Sequence, residues 1–430
     1  VSPTRSIPPA MPLTEPPVWP GAQWVSMIDL DDVPDSISTV TVTPEQAEGY
    51  RRARLLLRSA GSPVTFVDAD IVDGTVTVEV PDRRAASDAV PHPPVSVVLC
   101  TRDRPEHLER ALASIRALDY ADFEVVVVDN APATDATAAV VAACDDSRIR
   151  RVLEPTPGLS NARNTGLLSA THEIVAFTDD DVVVDPQWLQ GIARGFTRGD
   201  NVTCVCGMVP SGELRTAAQG YFDQRVPWAD TIEPRVYSTQ NPPADHPLFP
   251  FQVGKCGTGA NFAVRRSRLV ELGGFDEALG VGTKTCGGED LDLFFRVLAA
   301  GDTLVNEPSA IVWHRHRSDS AALLTQARGY GLGLGAWLTK VFLHREHRRL
   351  ALRVVRRRFR SVLARGADYG AIAAHARDFG DEIPKEVGRH EVFAVLGGPL
   401  ALWQGRRQGR RATPLLEPSP VVEPTPLLER

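Results

Sequence analysis

The stretch Ile174-Val-Ala-Phe-Thr-Asp-Asp-Asp-Val-Val-Val-Asp185 decides how the rest of the chain is read. Ile174 to Thr178 is a short, mostly apolar run with β-branched residues, which predicts a buried strand. Asp179, Asp180 and Asp181 follow where that strand should emerge. Three adjacent carboxylates repel one another and are costly unless solvent or a cation compensates them. A hard divalent ion prefers such oxygen ligands and also takes oxygens from a phosphate. A solvated acidic turn explains the triplet alone equally well, so its surroundings must choose.

Upstream, Val95-Ser-Val-Val-Leu-Cys100 predicts a strand ending at Thr101-Arg-Asp-Arg-Pro105. Leu108, Leu112 and Ile115 lie at helical spacing in the segment Glu106 to Leu118. A second strand, Phe123 to Val128, ends at Asp129-Asn130, and a helix from about Thr134 to Ala143 and a strand from Ile149 to Leu153 follow. Repeated strand, polar end and helix predict an α/β fold with a mostly parallel sheet and helices on both faces. Ligands of such sheets bind at the carboxyl ends of the strands. Thr101, Arg104, Asp129 and Asp179 to Asp181 all fall at that edge. Each has a plainer reading as a cap or turn, but together they describe a cleft for a polar, phosphorylated ligand. Neither GxGxxG nor GxxxxGK[ST] follows the first strand, so the usual dinucleotide and P-loop devices are missing.

Further along, Pro157-Gly-Leu-Ser-Asn-Ala-Arg-Asn-Thr-Gly166 enters a helix at Ser160 or Asn161. Arg163 there suits a phosphate, Asp129, or the acidic triplet across the cleft. Pro186 to Leu189 starts another helix. Residues 207–254 form a long irregular region carrying Tyr221, Phe222, Trp228, Tyr237, Phe249 and Phe251, either faces for a sugar ring or apolar acceptor or a local core. Glu289-Asp290 opens an amphipathic helix whose N-terminus favours carboxylates.

The 430 residues, 43% hydrophobic and 23% charged, describe a folded protein of several parts. A net charge of −7 argues against nucleic acid as a partner. The six cysteines are scattered, and Cys204-Val-Cys206 lacks the second pair of a zinc site, so free thiols and a reducing cytoplasm are expected. No leader pattern or span-length apolar run is visible, which predicts a cytoplasmic chain, soluble or held at the inner face of the plasma membrane.

The expected organisation is a disordered, proline-rich 1–22 and a small N-terminal α+β module at 23–82, then a catalytic domain at 93–318. A helical, basic region at 319–412 and a disordered proline-rich tail at 413–430 complete it. Within the module, Val40 to Thr43 predicts a strand, Glu45 to Ser59 a helix basic on one face, and Val64–Val67 with Val76–Val80 a β pair turning at Asp73-Gly74. In the C-terminal region, Lys340 to Arg360 holds nine Lys/Arg and one acid. Residues 392–403 are apolar and precede Arg406, Arg407, Arg410 and Arg411. That length is too short to span but suits contact with an anionic membrane surface; packing on the core or on a second subunit is the competing reading.

From Val95 to about His316 the chain resembles family-2 glycosyltransferases of the GT-A fold. The resemblance rests on an ordered series: Thr101-Arg-Asp-Arg-Pro105, Asp129-Asn130, Gly158 to Gly166, Asp179-Asp180-Asp181, Gly257-Thr-Gly-Ala-Asn261, Gly273-Gly-Phe-Asp276, Gly287-Gly-Glu-Asp-Leu-Asp292 and Trp313-His314. Any one piece is weak; the series is specific. It implies a Rossmann-like GT-A sheet and inverting transfer of a sugar from a nucleotide-diphosphate donor to an acceptor hydroxyl. It also implies a divalent metal, Mn²⁺ or Mg²⁺, held by Asp181, Asp179 and His314. Thr101, Arg104, Asp129, Arg163, Asp179 and Asp180 become donor contacts, with Asp129 at the nucleobase and Asp180 at the ribose. Asp290 is the implied base and Glu289 its companion, orienting the acceptor. Gly259 and Asn261 join Glu289 on the acceptor side. The acceptor class is a glycan or a lipid-linked molecule of the cell envelope. A nucleotidyltransferase also needs aspartates and a metal, but its Gly-rich phosphate loop is missing. A non-catalytic sugar- or partner-binding protein is disfavoured by two intact acid clusters. Donor, acceptor and oligomeric state are not legible in the sequence.

Overall fold

The computed structural model describes residues 5–84, 90–357, 383 and 387–409. The N-terminal module is built of β1 (Arg5–Ile7), β2 (Gln23–Asp29), β3 (Thr39–Pro44), β4 (Arg52–Ser59), β5 (Ser62–Asp70) and β6 (Val76–Glu79). These form two three-stranded sheets, β1-β3-β6 and β2-β4-β5, closed over Trp24, Leu30, Leu55, Leu57 and Val76. The module is therefore all-β among the described residues, not α+β. The helix expected over 45–59 is a turn followed by a central strand. Arg52, Arg54 and Arg58 repeat at even spacing, as a strand requires, and face acids on neighbouring segments: Asp70, Asp68 and Asp29. Leu55 and Leu57 point into the module while Leu56 meets Met208 and Trp313 of the next domain. A strand covered on both faces reads as an unbroken apolar run, which hid its period. The expected β pair also resolves differently. Val76–Glu79 pairs with β3 and Ser62–Asp70 with β4, so the Asp73-Gly74 turn crosses between sheets.

Residues 5–22, expected to be disordered, are placed. β1 runs parallel to β3, the Ala10 amide donates to the Val25 carbonyl, and Met11 is buried against the catalytic domain. Proline here costs little, because the segment needs few amide donors where it threads between two packed surfaces.

The catalytic part begins with β7 (Val95–Thr101), α1 (Pro105–Arg116), β8 (Phe123–Asn130), α2 (Ala136–Ala143), β9 (Ile149–Glu154) and α3 (Leu159–Ser169). It continues with β10 (Ile174–Thr178), β11 (Val182–Val184), α4 (Trp188–Gly195), β12 (Val202–Met208), α5 (Ala217–Arg225) and β13 (Arg235–Tyr237). The last elements are β14 (Asn261–Arg265), α6 (Arg266–Glu271), α7 (Glu289–Ala299) and β15 (Thr303–His314). The nine strands make one sheet in the order β11-β15-β12-β14-β10-β7-β8-β9, with β13 also on β15. β10, β7, β8 and β9 are parallel, and β14 is an antiparallel insertion between β10 and β12. Alternate residues feed two cores. Val98, Val126 and Val175 join the core shared with α3 and α7, while Val97, Val125 and Ala176 join the one shared with α1 and α4. Burial on both faces explains why these strands read as continuous valine-rich runs.

The long region 207–254 contains α5 and β13. Four of its six aromatic rings, Tyr221, Phe222, Tyr237 and Phe249, are buried in cores and offer no platform to a ligand. Behind the catalytic part lie α8 (Ser320–Leu343), α9 (Arg345–Arg357) and α10 (Val387–Gly409). Trp337 of α8 is buried beside Phe295 of α7. Among the described residues no helix is long and apolar enough to cross a membrane. The tail expected from 413 lies outside the described residues.

Candidate active site

Strand register assembles the cleft. Thr101, at the end of β7, lies opposite Asp129 of β8, and Thr178, at the end of β10, pairs beside Leu99. Asp179 to Asp181 therefore emerge next to the ends of β7 and β8. On the other side, Val182 of β11 pairs with His314 of β15, which draws that histidine to the triplet from far along the chain.

Asp179, Asp181 and His314 each offer one ligand atom, all within 4.8 Å of one another. The Asp181 carboxylate is 3.1 Å from His314 Nε2. The other ring nitrogen of His314 lies 3.0 Å from Nδ1 of His316, a contact that sets the ring's orientation. His316 is buried with its ring tilted against Phe222, and burial holds it well below the usual histidine range. The two histidines thus divide into a ring facing the acids and a neutral support. Burial, with Asp181 alongside, pushes the Asp179 carboxyl up to about 6. Asp181 is partly buried too, but the His314 charge and hydrogen bond hold its carboxyl well below the usual range. Two carboxylates and an imidazole, partly open to the cleft and crowded by like charge, fit a hard divalent cation such as Mn²⁺ or Mg²⁺.

Asp180 turns the other way. Its carboxylate accepts the Thr101 hydroxyl at 2.6 Å and Arg104 Nη1 at 3.1 Å. Thr101 is buried, so the structure places it as a support for Asp180 rather than at an open surface. Arg104 is partly exposed and also lies 3.7 Å from Asp181. Asp129 is completely buried, and one of its oxygens accepts Arg151 Nε at 2.9 Å. Its other oxygen has no partner among the described residues, which leaves an acceptor at the strand end. Arg151 was not singled out in the sequence; it pairs with Val127 across β8–β9, and its side chain reaches diagonally to Asp129.

Arg163 does not face an open phosphate site. It is 2% exposed. One terminal nitrogen donates to Glu289 at 3.0 Å, the other to the Gly259 carbonyl at 2.8 Å, and Asp179 lies 3.5 Å away. Of the partners read from the sequence, the acidic triplet is the one found, and the arginine also ties it to the acids of α7.

At the head of α7, the Asp290 carboxylate accepts the Gly259 amide at 3.0 Å and the Leu291 amide at 2.8 Å. Both backbone groups of Gly259 are therefore taken by this framework, and the residue positions Asp290 instead of meeting an acceptor. Glu289 is 5% exposed. Burial and the adjacent Asp290 charge push its carboxyl up to about 7, outweighing Arg163. Gly288 launches the helix with φ of +90°, and a Cβ there would sit 2.6 Å from the Gly333 carbonyl of α8. Lys340 of α8 bridges Asp276 at 2.6 Å and Asp292 at 2.8 Å. The C-terminal helices thus form part of the wall behind Glu289 and Asp290, which local sequence gives no sign of.

Asn261 departs furthest from expectation. It is fully buried, accepts from the Trp188 indole, and donates to the Met208 and Ala310 carbonyls. Its side chain pins α4 and two strands together and lies out of contact with solvent.

The sequence was compared with known proteins. Residues 96–267 match the model of Glycosyl transferase family 2. A pre-mycofactocin glycosyltransferase of Mycobacterium tuberculosis is 30% identical over 243 residues, 56% of this chain and 46% of that protein. The chain thus spans about half the length of that relative. The succinoglycan biosynthesis protein ExoM of Rhizobium meliloti is 29% identical over 258 residues, 57% of this chain and 71% of that one. A solved mannosyltransferase from Pyrobaculum calidifontis, in complex with GDP-Man and Mn²⁺, shares 20% identity at a TM-score of 0.46, covering 72% of this chain and 87% of that one. With its acids at the carboxyl ends of the strands and the family match across them, this chain carries a glycosyl transferase family 2 domain.

Proposed function

We propose that the chain moves a sugar from a nucleotide-diphosphate donor to an acceptor hydroxyl, with inversion at the anomeric carbon and a divalent metal. The observation that carries this reading is the joining of two acid clusters in one cleft through Arg163, one suited to a cation and the other to a proton. The match to Glycosyl transferase family 2 over residues 96–267 supports it. Bound at Asp179, Asp181 and His314, the metal would supply Lewis-acid stabilisation of the departing diphosphate.

The rest falls to the chain itself. Asp290 is aimed by two amide donors and is more accessible than Glu289, whose carboxylate is tied to Arg163. Asp290 takes the acceptor proton as the acceptor oxygen bonds to the anomeric carbon. The bond from that carbon to the phosphate oxygen breaks, and its electron pair leaves with the nucleotide diphosphate. Glu289 keeps Arg163 in place and offers its second oxygen, which has no partner among the described residues, to an acceptor hydroxyl. The unpartnered oxygen of Asp129 suits an N–H of the donor base, and Asp180, braced by Thr101 and Arg104, suits ribose hydroxyls. Cell-envelope glycan or glycolipid synthesis at the cytoplasmic membrane face completes the reading, supported by the relative named for succinoglycan biosynthesis.

Thermal shift across a panel of nucleotide sugars, with and without Mn²⁺, tests it. At least one nucleotide diphosphate should stabilise the protein only when metal is present. Silence across the panel from a folded sample would remove the donor from the proposal.

A further inference from the structure

Helix α10 buries one side and leaves the other uncovered. Its inner face packs on α8 so closely that a Cβ on Gly335 would lie 2.1 Å from the Val395 carbonyl, and one on Gly398 2.2 Å from Gly335. The helix therefore cannot roll its outer face inward. That outer face carries Phe393, Leu396, Leu400 and Trp403, spaced three or four apart along one stripe, with Val392 beside Phe393. Phe393 is 64% exposed, Leu396 77% and Leu400 59%, well beyond the isolated surface leucine of an ordinary protein. At about 1.5 Å per residue the stripe is on the order of 16 Å long.

Charge marks both ends. Arg389 is exposed before the stripe, and Arg406 and Arg407 are exposed after it. The Arg407 guanidinium lies 3.7 Å over the Trp403 ring, an arrangement with an apolar body and a cationic tip. We propose that this stripe docks the chain on an anionic lipid bilayer. An apolar strip ending in tryptophan and arginine matches the layering of acyl chains and anionic headgroups. A second protein surface has no need of cations at both ends.

The placement also fits the acceptor side of the reading above, on which this partner assignment rests for its purpose. Leu402 packs with Ala278, Leu279 and Ala336, and Gly405 presses on the Ala278 carbonyl. The Leu279 carbonyl accepts the Ser160 hydroxyl at 2.8 Å, and a Cβ on the next residue, Gly280, would lie 3.4 Å from the Glu289 carboxylate. The body of α10 and one loop thus separate the stripe from the acids of α7. A bilayer held there would keep a lipid-linked acceptor on the flank of the domain that carries those acids.

The test is co-flotation of the full chain with vesicles of phosphatidylcholine alone or with about one third phosphatidylglycerol. Binding should need the anionic lipid. Replacing Arg406 and Arg407 together with Gln should weaken it by about 25-fold, from roughly five-fold per arginine. Phe393→Ser with Leu396→Ser should weaken it by more than about ten-fold. Both variants should keep the parental melting temperature, since the altered side chains are exposed. Equal binding to both vesicles, no binding, or variants that bind as the parent does would overturn the proposal. So would a dimer in sedimentation that the serine variant breaks, which assigns the stripe to a second copy. Metal-dependent nucleotide stabilisation, read without vesicles, separates this result from the catalytic reading: either can fail while the other stands.

Discussion

At one end of the cleft Asp179, Asp181 and His314 hang from the ends of strands; at the other, Glu289 and Asp290 head a helix. The strand-end acids are satisfied by side chains, His314 at 3.1 Å from Asp181 and Arg163 at 3.5 Å from Asp179. Asp290 is satisfied by main-chain amides, those of Gly259 and Leu291. Carboxylates met only by side chains keep oxygen lone pairs for a cation, with His314 beside them as a third donor. Fixed amides cannot leave, so they hold a carboxylate in one orientation for a proton. Arg163 belongs to both ends and sets their spacing.

Removing that shared arginine should have the largest effect. Arg163→Met leaves Glu289 and Asp179 without their buried counter-charge, and a loss of about 3–5 kcal/mol of stability is expected. Chemical denaturation measures it; an unchanged midpoint would mean that the two ends are independent. Next, Asp181→Ala removes a proposed cation ligand. Nucleotide affinity in the presence of Mn²⁺ should fall by more than about 10²-fold, since even outer partners of a ligand cost 10- to 100-fold. Calorimetry that finds the affinity intact would move the cation away from these three residues.

Asp290→Asn sharpens the contrast from the other end. Turnover should fall by about 10²-fold while metal-dependent nucleotide binding stays near the parental value. Normal turnover would transfer the base role to Glu289.

The smallest effect is one of pH. Folding favours the protonated form of Glu289, whose carboxyl sits at about 7. Its contribution to stability is whole below the ordinary glutamate range and is lost as pH rises through about 7. Glu289→Gln mimics the protonated form throughout. Between about pH 5 and pH 8 the variant should gain on the parent by a few degrees of melting temperature. A gap that stays constant across that range would show that Glu289 is ionised throughout it.

The sequence by itself determined the strands buried on both faces, because an unbroken valine-rich run such as Phe123 to Val128 has few other uses. It also marked which strand ends carry polar groups, and the order of the glycine and aspartate motifs around them. Tertiary structure alone decided partners. Arg163 reads in the chain as a cation with three possible partners, a phosphate, Asp129 or the acidic triplet, and only the fold joins it to Glu289 as well as Asp179. Asn261 reads as the end of a flexible glycine segment, yet the antiparallel insertion of β14 seals it beneath Trp188. Leu55 to Leu57 reads as part of a helix over Glu45 to Ser59, yet it is a strand that two layers cover from opposite sides. Local sequence records a residue's own solubility and spacing. What lies across from it is fixed by sheet order and register, and these depend on contacts far away in the chain.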